Sequence, residues 1–81
     1  MVEAETLAVE RQFAFCRRNL VLAQTGQMSQ SSARTQLRIS LSVLERLGER
    51  RDLDDMHALA RQVIFDQIIR YMEDQRWMSA R

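Results

Sequence analysis

Apolar side chains recur along this chain at helical spacing, and the densest pattern lies between Leu53 and Met78. At about 100° per residue, Leu53, Ala60, Ile64, Tyr71 and Met78 fall on one line, flanked by Met56 and Val63 on one side and Ile68 on the other. Phe65, Ile69 and Met72 lie further round. Between Val63 and Met72 the apolar arc therefore widens to roughly 240°, against the ~100° stripe that faces a single core. A helix over residues 53–78 with such an arc needs neighbours on two sides.

Residues 3–24 repeat the pattern. Val2, Val9, Phe13, Cys16, Leu20 and Ala23 make a heptad seam interrupted at Thr6, and Leu7, Ala14 and Val21 form a second line beside a third of Ala8, Phe15 and Leu22. Glu3 and Glu5 favour a helix start there, and Gly26 suits the left-handed residue that closes a helix. After a short serine-rich loop offering several N-caps, a second helix is expected over 32–47. Its stripe is Leu37, Leu41 and Leu44, broadened by Ile39, Val43 and Leu47, with Arg34, Arg38, Ser42 and Glu45 facing away. Residues 38–43 also alternate as a half-buried strand would. No other stretch of the chain offers that strand a partner, so it would have to pair with a second copy across a dimer axis; helix is the reading adopted. Gly48 is expected to close this helix and Asp52 to cap the next, with Asp54 and Asp55 in its first turn.

The expectation is one all-α domain over residues 1–81, a long–short–long three-helix bundle or hairpin-like arrangement. At 26 residues, or ~39 Å, the last helix would outreach its neighbours and leave apolar surface for something outside the monomer. Eighty-one residues also lie near the size at which a single core is barely sufficient. Self-association, a dimer first of all, is the expected remedy.

Composition narrows the chemistry. One cysteine, Cys16, and one histidine, His57, exclude an internal disulfide and leave too few soft ligands for a structural zinc site, so no metal is assigned. Cys16 is read as a small apolar member of the seam, and His57 as a solvated or locally hydrogen-bonded residue. Net charge is +1, spread as +3 over residues 1–51 and −2 over 52–81, which is a weak dipole and no basic patch. All twelve basic residues are arginine, a usage read as the codon bias of a GC-rich bacterial genome. The acidic opening MVEAETLAVE lacks the form of a signal peptide, and no apolar run approaches the ~18 residues of a membrane span. A cytoplasmic protein with no membrane partner is expected.

Asp55, Asp66 and Glu73 share a face of the last helix with Gln62, but the Arg70 and Asp74 that follow at four-residue steps make it a solvated ion-pairing face. With no phosphate loop or nucleophile elbow either, the chain is read as non-enzymatic, with no catalytic residue and no cofactor. The function expected is that of a protein-protein interaction module, a regulator, adaptor or secretion-type chaperone, binding its own kind or another protein's helix. Val63, Phe65, Ile69, Met72 and Trp77 are the interface candidates, and Leu20, Leu41, Leu44, Ile64 and Ile68 the core. Trp77 is included because interfaces are rich in tryptophan, although it can equally fold back on its own domain.

The alternative is a dimeric DNA-binding regulator. Leu22–Ser31 resembles the turn of a helix-turn-helix, with Arg34, Gln36 and Arg38 placed where a recognition helix displays its side chains. The spacing departs from that motif. Ala23 precedes Gly26 by three residues where a small residue is wanted at four, and Ser32 and Thr35 stand where apolar residues belong.

Overall fold

The computed structural model describes the backbone of residues 2–77 and the side chains of residues 7–77. Helix α1 spans Val2–Gln24, α2 Gln30–Gly48 and α3 Asp55–Asp74, and no strand occurs among the described residues. Residues 38–43 are thus helical. The expected roles of Val2, Glu3, Glu5, Thr6 and Met78 lie outside the described side chains.

The helix ends follow local chemistry, at positions shifted from those expected. Ser29 caps α2, its Oγ accepting from the backbone N–H of Ser32 at 3.1 Å, so the helix starts before Ser32 itself. Met28, just ahead of this cap, packs on the core and fixes the entry of the chain. Asp54, and not Asp52, caps α3 by accepting from His57 N–H at 2.8 Å. Asp52 instead takes a two-point bond from Arg50, at 2.9 and 2.6 Å.

Two helices end in the same way. Past α1, Gln27 N–H reaches Leu22 C=O and Gly26 N–H reaches Ala23 C=O, with Gly26 at φ +72°. Past α3, Trp77 N–H reaches Met72 C=O and Arg76 N–H reaches Glu73 C=O, with Arg76 at φ +62°. Both are Schellman closures, which satisfy the last carbonyls and turn the chain away. Arg76 occupies the position that Gly26 fills without strain. This closure ends α3 short of Met78. The three helices have 23, 19 and 20 residues, so α3 does not outreach its neighbours.

Gly48 lies within α2 as its last residue and has no positive φ, where it was expected just past the helix end. Its lack of a side chain serves packing. A Cβ there would stand 2.5 Å from the Arg61 guanidinium, which donates from Nε to the Leu44 carbonyl at 2.6 Å. A cation thus sits against the last turn of α2, where the helix dipole favours it.

The core is built from matching seams. α1 contributes Val9, Phe13, Cys16, Leu20 and Ala23, and α2 contributes Ala33, Leu37, Ser40, Leu44 and Leu47, all buried. Both sets step by four and three. The Cys16 thiol, meeting the Ser40 carbonyl at 3.6 Å, joins the two seams at their middle members. An antiparallel hairpin in this register sets Val9 level with Leu47 and Ala23 level with Ala33. Ser40, 0% exposed, is the one polar member of its seam, and it is fully served: its Oγ donates to Gln36 C=O and accepts from Asn19 Nδ2 at 3.1 Å. Each large aliphatic member adds about 1.5–3 kcal/mol by leaving water.

α3 closes the bundle with Ile64, Ile68 and Met72 buried and Ala60, Phe65 and Tyr71 packed round them, and Leu53, in the turn before α3, packs on the same core. His57 lies 3.6 Å from Glu10, and the Tyr71 hydroxyl donates to the Ala23 carbonyl at 3.1 Å. These two contacts make α1 and α3 parallel, residue 10 level with 57 and residue 23 with 71. The α1–α2 pair is the most extensive of the three and α1–α3 the least. The expected core residues Leu20, Leu44, Ile64 and Ile68 are buried, while Leu41 is half-buried at the rim.

Candidate interaction surfaces

α3 is apolar on two sides because it meets α1 with one and α2 with the other. This accounts for most of the predicted interface residues. Met72 is 2% exposed and belongs to the core, a correction to its expected surface role. Phe65 is half-buried, its ring lying under the Arg61 guanidinium at 5.5 Å, a cation–π contact. Trp77 is half-buried too and stands edge-on to Tyr71, with ring centroids 5.6 Å apart. It supplies the apolar contact that accompanies a Schellman closure. Ile69 is half-buried, and Val63 alone of the five is exposed, at 46%.

Val63 has neighbours that the residue pattern did not single out as interface. Met56 is 76% exposed and Leu59 62%, and with Val63 they climb one side of the first two turns of α3 at helical spacing. α1 contributes Leu7 and Val21, 52% and 51% exposed, seven residues either side of the exposed Ala14. The two rows border one groove. Its lower end is a cleft of about 380 Å³ lined by Arg17, Val21 and Gln24 of α1 and Gln67, Arg70 and Asp74 of α3. Residues seven apart share a line on a helix, so the line above Val21 carries Ala14 and Leu7, and the line above Arg70 carries Val63 and Met56. The sequence held the signal in the three- and four-residue steps from Met56 to Leu59 to Val63. What it lacked was the side from which α1 approaches.

The polar groups near this groove are held by ordinary contacts. His57 lies between Glu10 and the Asp54 carboxylate, 3.2 Å away, with Phe13 at a ring separation of 6.0 Å. The backbone N–H of His57 lowers the Asp54 pKa, and Arg50 does the same for Asp52. Burial raises the Cys16 thiol pKa, keeping it protonated and weakly nucleophilic. Among the described residues no three His, Cys, Asp or Glu side chains converge as a metal site would require.

The residues of the nucleic-acid reading lie on α2. Arg34 and Arg38 are exposed and line a shallow depression of about 500 Å³ with Gln30, Ser31 and Thr35. Gln36 is half-buried, and its carbonyl accepts the Ser40 hydroxyl. α1 and α2 lie antiparallel along their seams, whereas a helix-turn-helix crosses its pair at a steep angle.

No protein-family model, no curated protein and no solved structure matches this chain.

Proposed function

We propose that this chain is a non-enzymatic protein-protein interaction module that binds a helical partner across the face shared by α1 and α3. The observation that carries this is the row Met56, Leu59 and Val63, left in solvent beside Leu7 and Val21 on a domain whose other large apolar residues mostly turn inward. A contiguous apolar patch on a small folded domain marks a contact surface, because leaving it wet forfeits about 25 cal/mol for each Å². A regulator, adaptor or secretion-type chaperone of the bacterial cytoplasm works in this manner, through binding alone.

A photo-crosslinking amino acid placed at position 59, with a control at position 38, tests the reading in the native host. A discrete protein adduct is expected from position 59 and is expected to vanish when Val63→Asp is added. Adducts formed only from position 38, with nucleic acid and with a low-salt gel shift abolished by Arg34→Ala and Arg38→Ala, reverse the conclusion in favour of DNA binding.

A further inference from the structure

Charge on the two edges of the α1/α3 face says which partner it fits. On α1, Arg11 and Arg18 follow Leu7 and Ala14 by four residues, so they form the outer border of that apolar row. Both are exposed, and neither has a carboxylate within ion-pair distance among the described residues. On α3, Asp55 and Asp66 lie four residues before and seven after Leu59 and border the other row. Both are exposed as well, and Asp66 accepts only a bond from Gln62 on its own helix. The face therefore runs from a basic edge through two apolar rows to an acidic edge, with Arg17, Arg70 and Asp74 confined to the lower end of the groove between them.

We infer that a second copy of this chain covers the face, related by a two-fold axis running along the groove between α1 and α3. Such an axis lays α1 of one protomer over α3 of its partner, apolar row on apolar row and basic edge on acidic edge. The levels agree. The Glu10–His57 and Ala23–Tyr71 contacts offset the two helices by 47 to 48 residues, which puts Arg18 level with Asp66. Arg11 falls about one turn from Asp55, within reach of an arginine side chain. An axis across the helices would instead set α1 on α1, with Arg11 and Arg18 facing their own kind. The inference rests on the interaction-module reading and names its partner.

Sedimentation velocity or light scattering on the purified protein tests it, with circular dichroism as a check on folding. The wild type is expected to be a dimer. Leu59→Asp, at a side chain already in solvent, is expected to keep the helical signal and weaken association by about 100-fold or more. Arg18→Glu and Asp66→Arg are each expected to weaken it about tenfold, and their combination to restore it to within about threefold of wild type. A wild type that stays monomeric at about 100 µM overturns the inference, as does a dimer indifferent to Leu59→Asp or a charge pair with no mutual rescue. The wider reading is judged separately: a monomeric purified protein that still gives a crosslink from position 59 to a different protein removes the self-partner and leaves the module.

Discussion

Arg76 shows what a single residue contributes when it stands where glycine belongs. Its backbone takes φ +62° because the Schellman closure of α3 requires a left-handed residue, and a side chain in that region costs about 1 kcal/mol. Arg76→Gly is expected to raise the melting temperature by about 4–8 °C, read by circular dichroism. Ser40 is the converse, a polar atom that the core has built round. Ser40→Ala removes the acceptor of Asn19 Nδ2 on a residue only 6% exposed, and is expected to destabilise by about 1–3 kcal/mol in urea unfolding. Adding Asn19→Leu, which removes the stranded amide, is expected to recover most of that loss. Gly26 was legible from the sequence because left-handed backbone selects glycine. Arg76 was not, since nothing in an arginine announces that its neighbours force its φ. Ser40 was hidden by Ser42 nearby, although it keeps the four-three step of Ala33, Leu37, Leu44 and Leu47.

The elements themselves were legible where the apolar period is unbroken, as in the seam from Val9 to Ala23. Their boundaries were not, because several residues of equal capping chemistry compete over a few positions. Ser29, Ser31 and Ser32 can all cap a helix; the packing of Met28 on the core selects Ser29. Asp52 and Asp54 compete likewise, and the pairing of Asp52 with Arg50 leaves the cap to Asp54. That cap has a pH signature. The folded pKa of Asp54 lies below the ordinary 3.8, chiefly through the His57 N–H, so its stabilisation is complete above that value and is lost as pH falls through the lower folded one. Asp54→Asn keeps a cap without a titrating group. It is expected to match wild type in thermal melts near pH 7 and to lose less stability than wild type below about pH 4.

At the scale of the whole molecule, the wide apolar arc of α3 correctly announced two neighbours, and both lie within the chain. Periodicity gives the breadth of an arc but not the handedness with which three helices close. It therefore could not separate Met72, which α3 turns into the core, from Leu59, which it turns to solvent. The location of the surplus apolar surface, in the first turns of α3 and along α1, became visible only with the packing. Cys16 offers a measure of the integrity of the whole. It is 0% exposed at the middle of the α1–α2 seam, so a thiol reagent reaches it only when the hairpin opens. Labelling under native conditions is expected to be slower than that of the unfolded chain by more than about a thousandfold, and to accelerate in Ser40→Ala in proportion to its lost stability.

The closing turn of α3 also makes the protein its own optical probe. The indole of Trp77 is the only one in the chain, and it stands on Tyr71, whose hydroxyl ties α3 to the end of α1. Its emission therefore reads the docking of the third helix, while far-ultraviolet ellipticity reads the helical content of all three. If those two signals separate on a denaturant axis, with emission moving first, α3 leaves a hairpin of α1 and α2 that outlasts it; if they coincide, the light seam between α1 and α3 is as cooperative as the dense one beside it.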